Sequence, residues 1–309
     1  MKEKPVFSIV VPVYNAEKTL RELYNRVNET FVKMNKSFEM IFVNDCSKDH
    51  SLDELNKLKE IYDNITIIEL SRNAGQQNAL ISGFQYCSGD FIVTIDDDLQ
   101  NPPEEIPKLY SKIQEGYDAV FGEYHKKEDK LYKNIGSKFF RSFNHKIFKL
   151  DRDLKFSSFR LIKRDIIDQI KESQTPFPYI SGMILEVTDN VINTYVDHVP
   201  RKLGRSGYNL AKLVNLSFNL LINYSSIPLR FFSYIGLLIS LISFCIGIFF
   251  IIKKILGGQP PTGWTSLVVL ISFYNTIILL IFFILGEYIS RILKEVSKHK
   301  AYKIKRVIK

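Results

Sequence analysis

Five short apolar runs in the first part of the chain, Phe7-Val11, Glu39-Val43, Ile65-Leu70, Phe91-Ile95 and Ala119-Phe121, alternate with longer segments of a different rhythm. In those segments, Leu20-Met34, Leu52-Tyr62, Gln76-Tyr86 and Glu104-Ile113, apolar residues recur every three or four positions. The short runs read as buried strands and the longer segments as helices with one apolar face. A strand-helix-strand series builds an α/β domain around a mainly parallel, Rossmann-like sheet, and such sheets bind ligands beyond the carboxyl ends of their strands. Chemistry is therefore expected in the loops that follow the strands.

Those loops are rich in groups that bind. The fourth run ends in Asp96-Asp97-Asp98, followed by Leu99-Gln100-Asn101-Pro102-Pro103. Carboxylates at the mouth of a parallel sheet supply hard oxygen ligands for a divalent ion that can hold a diphosphate, and the two prolines mark a helix start just beyond. The other loops are Pro12-Val13-Tyr14-Asn15-Ala16-Glu17, Asn44-Asp45-Cys46-Ser47-Lys48-Asp49 and Ser71-Arg72-Asn73-Ala74-Gly75-Gln76. Any one of them reads as ordinary turn and helix-cap chemistry. Four at one edge of one sheet point to a nucleotide-sugar site.

Near the other end the composition changes. Phe231 to Ile252 runs for 22 residues without a charge and Ser266 to Leu285 for 20. Each is long enough as a helix to cross a hydrocarbon core. The connector Lys253 to Thr265 carries two basic residues and the tail from Arg291 to Lys309 carries eight, so the positive-inside bias puts the tail, and with it the N-terminal domain, in the cytoplasm. The formal charge of +9 alone would suit nucleic acid, an anionic membrane surface or a phosphorylated substrate; with two spans in the chain, no nucleic-acid partner is expected. Cys46, Cys87 and Cys245 are odd in number and form no CxxC, which argues against a disulfide framework or a zinc site.

The ordered set Val11-Pro12-Val13-Tyr14-Asn15, Val43-Asn44-Asp45-Cys46-Ser47, Arg72-Asn73-Ala74-Gly75 and Asp96-Asp97-Asp98-Leu99-Gln100, joined to two spans, resembles the GT-A glycosyltransferases of family 2. More narrowly it is similar to the polyprenyl-phosphate glycosyltransferases, which include dolichyl-phosphate mannose synthase and bacterial enzymes acting on undecaprenyl phosphate. The resemblance continues through Ser158-Phe159-Arg160-Leu161, Arg201-Lys202-Leu203-Gly204-Arg205-Ser206-Gly207-Tyr208, Pro228-Leu229-Arg230, Gly263-Trp264-Thr265-Ser266 and Gly286-Glu287-Tyr288. It implies a GT-A domain over 1–208, an amphipathic juxtamembrane helix over 209–228, a two-helix transmembrane domain over 229–287 and a basic cytoplasmic tail over 288–309. It also implies a multi-pass enzyme of the bacterial cytoplasmic membrane that assembles as a homo-oligomer, a tetramer in similar enzymes.

Through the same resemblance, Pro12, Tyr14, Asn15, Glu17 and Asp45 face the nucleoside of a UDP-sugar such as UDP-glucose, with Arg72, Asn73, Gly75 and Asp97 completing the donor site. Asp96 and Asp98 match the DxD carboxylates, and Gln100 an additional oxygen ligand, for Mg²⁺ or Mn²⁺. Arg160, Arg201 and Arg205 are candidate clamps on phosphate, with Ser206 and Tyr208 beside them. The reaction implied is inverting transfer to a polyprenyl phosphate, whose phosphate needs little help from a base because its second pKa is near about 6. Two departures stand out: Ser206-Gly207-Tyr208 lacks the lysine that relatives often carry between Ser and Tyr, and Cys46 stands where glycine is common.

Two further stripes bear on membrane docking. Tyr132, Ile135, Phe139, Phe140, Phe143 and Ile147 alternate with Lys133, Lys138, Arg141 and Lys146, and Leu210, Leu213, Val214, Ser217 and Leu221 form a second face. Asn275 in the second span, with Gly236 and Gly247, suits helix association. The rival readings are a glycan-elongating synthase, which needs Gln-x-x-Arg-Trp although the single tryptophan is Trp264 between the spans, and a noncatalytic membrane scaffold or transport subunit.

Overall fold

The computed structural model describes residues 4–124, 154–172, 175, 178–197, 199 and 302–309, together with individual positions between 234 and 292. The chain divides into two compact units, Met1–Gly207 with Lys298–Lys309, and Tyr208–Ser297.

The first unit is built on a sheet of eight strands: β1 (Phe7–Val13), β2 (Phe38–Asn44), β3 (Ile65–Leu70), β4 (Phe91–Thr94), β5 (Ala119–Tyr124), β6 (Arg160–Lys163), β7 (Val191–Val196) and β8 (Ile304–Ile308). Their spatial order is β7-β5-β6-β4-β1-β2-β3-β8. β1 pairs in parallel with β2 and β4, and β2 with β3. β6 is wedged antiparallel between β4 and β5, and β8 closes the far edge antiparallel to β3. The sequence steps outward from β1 to β3 and then returns to place β4 on the other side of β1. The loops after β1 and β4 therefore diverge, and the crevice between them is the place where sheets of this kind bind ligands.

Side-chain alternation explains why these strands hold helices on both faces. Ile9, Val11, Met40 and Phe42 point into a core with α1 (Leu20–Met34), α2 (Ser51–Ile61) and α4 (Ile106–Gln114). Val10, Ile41 and Val43 point the other way, against α3 (Gln76–Phe84), α5 (Arg164–Ile170) and α6 (Ile180–Val187). Strands buried on both faces read as continuous apolar runs, which is what made them visible in the sequence. α1 ends where Asn35 adopts a left-handed conformation (φ 51°) and returns its N–H to the carbonyls of Phe31 and Val32. The helix expected over Glu104-Ile113 is split: Pro103–Glu105 forms a 3₁₀ turn before α4 begins at Ile106.

Three strands were not foreseen. β6 has four residues, β7 alternates weakly, and β8 lies in what the charge pattern presented as a basic tail. The last residues of that tail are thus part of the sheet of the first unit. In the second unit the described positions from 234 to 252 and most of those from 267 to 292 are helical. Many carry exposed apolar side chains, among them Tyr234, Leu238, Ile242, Leu270, Phe273, Ile278 and Phe282. Among the described residues no helix is long and apolar enough to cross a membrane. Most of the two predicted spans, and all of both amphipathic stripes over 132–147 and 210–221, lie outside the described residues.

Candidate active site

The loops after β1, β2, β3 and β4 are tied to one another by hydrogen bonds. At the crevice, the Tyr14 N–H donates to Asp97 Oδ2 at 3.0 Å, joining the first loop to the carboxylate cluster. Asn15 and Glu17 join the first loop to the second: the Asn15 N–H donates to Ser47 Oγ (3.1 Å), Asn15 Oδ1 accepts from the Lys48 N–H (2.8 Å), and Glu17 Oε2 accepts from the His50 N–H (3.0 Å). Pro12 sits on β1 beside Val43, and Tyr14 keeps 46 % of its surface exposed, so its ring remains available to a planar ligand.

Asp45, expected at the nucleoside, is held by the third loop. It is 4 % exposed, and its two carboxylate oxygens accept the N–H groups of Ala74 (2.6 Å) and Gly75 (2.8 Å). Burial raises its pKa, against the opposing effect of those two N–H groups. Asn73 Nδ2 adds a bond to the Asp45 carbonyl at 3.3 Å. Asp45 thus holds the third loop to the second, and Gly75, at φ 84°, makes the turn into α3 that presents both amides.

Gln76, the first residue of α3, reaches Asp96: its Nε2 donates to Oδ1 at 2.6 Å, while Ser158 Oγ donates to Oδ2 at 2.5 Å. Asp98 Oδ1 accepts the Gln100 N–H at 3.1 Å, forming a tight turn in which Leu99 is held at φ 60°. Of the four non-glycine residues with positive φ among the described residues, Asn15, Cys46 and Leu99 lie in these loops. Backbone held in a sparsely populated region clusters at functional sites. Cys46 (φ 58°) takes a backbone conformation that glycine adopts without the steric cost a side chain meets.

Arg160 is almost wholly buried. Cast as a phosphate clamp, it lies 1 % exposed beneath the strand ends, donating from Nε to Thr94 Oγ1 (3.0 Å) and from Nη1 to Ser181 Oγ (2.9 Å). Burial pulls its pKa down to about 10, and the fields of Tyr179, Asp96 and Tyr124 oppose that shift. Thr94 in turn donates to the Ser158 carbonyl at 2.5 Å. Arg160 therefore supports Asp96 from below, through Thr94 and Ser158. Arg160→Ala is expected to lower stability by about 3 kcal/mol, from the cavity and the unpaired hydroxyls it leaves, read as a fall in thermal midpoint in detergent.

Arg201, Arg205, Ser206 and Tyr208 lie outside the described residues, and nothing in the geometry tests Arg72 as a ligand contact. The Val199 N–H donates to the Gln100 carbonyl at 3.0 Å, so the chain two residues before Arg201 is fixed to the carboxylate loop. Gln76, Thr94, Ser158, Ser181 and Asn101, which accepts the Tyr124 hydroxyl at 2.6 Å, were not singled out as site residues. Ser158, in Ser158-Phe159-Arg160-Leu161, Gln76, at the end of the third loop, and Asn101, in the loop after the fourth run, lay in segments the sequence had marked, and Ser181 did not.

Among the described residues no three His, Cys, Asp or Glu side chains converge on one point. A divalent ion here would take Asp96, Asp98 and Gln100 oxygens and complete its shell from a bound diphosphate. Each carboxylate oxygen has a second lone pair, so the hydrogen bonds to Asp96 and Asp98 orient the carboxylates without preventing ligation, and the hard-oxygen set fits Mg²⁺ or Mn²⁺.

The glycosyl transferase family 2 profile matches residues 8–171, the span that carries all four loops. The chain belongs to that family. An uncharacterized glycosyltransferase of Bacillus subtilis, YkcC, is 34 % identical over 96 % of this chain and 92 % of its own. The undecaprenyl-phosphate 4-deoxy-4-formamido-L-arabinose transferase of Proteus mirabilis is 33 % identical over 97 % of this chain and 93 % of its own. Among solved structures, glucosyl-3-phosphoglycerate synthase from Mycobacterium tuberculosis, in complex with Mn²⁺, uridine diphosphate and glucosyl-3-phosphoglycerate, superposes with a TM-score of 0.53. It is 17 % identical, with 71 % of this chain and 80 % of that one covered. The likeness establishes the GT-A fold of this glycosyltransferase.

Proposed function

We propose that this glycosyltransferase moves a sugar from a nucleoside-diphosphate donor, with UDP-sugars such as UDP-glucose as first candidates, to a polyprenyl phosphate such as undecaprenyl phosphate at the cytoplasmic membrane face. The observation that carries the reading is the crevice after β1 and β4, where the Tyr14 backbone is bonded to Asp97 and the Asp96 and Asp98 carboxylates flank that contact. The names of the Proteus mirabilis and similar relatives support the acceptor class. Tyr14 and Pro12 form an apolar wall for the base, and Glu17 offers a carboxylate to ribose or base. Arg201, two residues beyond the anchored Val199, and Arg205 clamp phosphate. The metal, when bound, neutralises the departing diphosphate. The residues of the chain position the donor, and the acceptor phosphate attacks the anomeric carbon with inversion as the C–O bond to the diphosphate breaks.

Membrane residence rests on the two charge-free stretches and on the exposed apolar side chains of the second unit. The first unit takes its residues from both sides of the second, which supports the reading of two crossings between them. Asn275, an exposed helical position, fits helix association into a homo-oligomer.

Purified enzyme in nanodiscs, given a panel of nucleotide sugars with undecaprenyl phosphate and Mg²⁺ or Mn²⁺, is expected to release nucleoside diphosphate with one donor, to stop in excess EDTA and to resume when metal is restored. Transfer undiminished in EDTA would remove the metal from the site. Release with a sugar acceptor and none with the lipid phosphate would favour the glycan-elongating reading.

A further inference from the structure

The third loop is gripped at both ends, and one grip comes from the far end of the chain. β8 pairs with β3 in the register Ile67 with Ile308, Ile68 with Val307 and Glu69 with Arg306, and an irregularity between Glu69 and Leu70 shifts the pairing just before the loop begins. There the Ser71 N–H donates to the Lys303 carbonyl at 2.8 Å. Glu69, 6 % exposed, accepts Lys305 Nζ at Oε1 (2.6 Å) and Arg306 Nε at Oε2 (2.5 Å). Burial alone would raise the Glu69 pKa, but the two cations more than offset it and hold the carboxyl below its ordinary range. Lys309 Nζ lies 5.7 Å from the centre of the Tyr86 ring, just beyond the end of α3, so the last residue of the chain reaches past β3.

Without β8, β3 would be an unpaired edge and Ser71 would have no bond to Lys303. The loop would then lose its bond at Ser71 while keeping those of Asn73, Ala74 and Gly75 to Asp45 and of Gln76 to Asp96. A loop that loses a tether gains conformational freedom that ligand binding must then remove. We propose that β8 is a positioning strap for the Arg72–Gly75 donor loop, so that the strand following the unit 208–297 sets how tightly nucleotide is held. The proposal rests on the reading of this loop as part of the donor site. Lys305, Arg306 and Glu69 touch no reacting group in it and act through Ser71.

The test uses full-length enzyme in nanodiscs and three changes: the pair Lys305→Gln and Arg306→Gln, the pair Lys305→Arg and Arg306→Lys, which keeps both charges, and a chain ending at Tyr302. Hydrogen exchange is followed across the domain, and uridine diphosphate is titrated with Mn²⁺. Because both cations are half-exposed or more, the glutamine pair is expected to speed exchange at 71–75 and to weaken nucleotide binding by about fivefold. The truncated chain should do more and the charge-keeping pair nothing measurable, while exchange in α1 and in the 96–100 turn stays as in the unaltered enzyme. Unchanged exchange at 71–75 in the truncated chain would overturn the proposal. Faster exchange throughout the sheet and α1 would also overturn it, showing a general stabilising role. If the unaltered enzyme fails to bind uridine diphosphate, the choice of nucleotide falls, and the exchange data still decide whether β8 orders the loop.

Discussion

Asp98→Asn should reduce sugar transfer at least about a hundredfold while leaving the fold intact, the scale on which loss of a single charge-stabilising group acts in a preorganised site. The geometry separates the two effects. Asp98 Oδ1 accepts the Gln100 N–H and so closes the turn that holds Leu99 at φ 60°. Asparagine retains that oxygen, so the turn survives. What disappears is the negative charge and with it a hard anionic ligand. Thermal midpoint in detergent and retention in the membrane fraction should match the unaltered enzyme, while nucleotide release at limiting metal collapses. Near-normal turnover at limiting metal would remove Asp98 from metal binding. Asp97→Ala is a useful contrast, because it removes the carboxylate that accepts the Tyr14 N–H. Its expected defect lies in joining the first loop to the cluster, seen as weaker donor affinity more than as loss of metal dependence.

The parallel half of the sheet was legible because its strands are buried on both faces and therefore appear as unbroken apolar runs. Ile65–Leu70 and Leu20–Met34 match the expected bounds, and the other early elements shift by a few residues at their ends. β6 and β8 were not legible for a different reason: their pairing is antiparallel and non-local, and in β8 the alternation is interrupted by Lys305 and Arg306, whose cations are spoken for by Glu69 some 236 residues away in sequence. No local pattern encodes such a partner. The same holds within the site. Carboxylates after a strand announce that oxygen ligands will gather there, but which carboxylate faces the ligand and which is consumed by backbone amides depends on loops distant in sequence. Asp45 and Arg160 show this most clearly. Both are buried and hydrogen-bonded to neighbouring loop or strand groups, which no local pattern announces.

Donor turnover should depend on an isoprenoid phosphate, and this tests the acceptor assignment most directly. If acceptor phosphate attacks as its dianion, no carboxylate is needed as base, and the rate at saturating donor should fall as pH drops through about 6, where the phosphate gains its second proton. The sign follows from the reacting species: the nucleophilic form is fully present above that pKa and lost below it. Arg205→Ala should then raise the concentration of lipid phosphate needed for half-maximal rate by about tenfold, the size of one lost charge-assisted contact to phosphate, with donor affinity affected less. Arg160→Lys provides the internal contrast, since Arg160 is bonded to Thr94 and Ser181 and should act through Asp96 on donor and metal instead of through the acceptor. Measured pH–rate profiles on the unaltered enzyme and the Arg205 variant should share the same acidic limb, because the limb belongs to the acceptor. A limb that moves with Arg205, or transfer that proceeds equally well to a free oligosaccharide without lipid phosphate, would assign the nucleophile elsewhere.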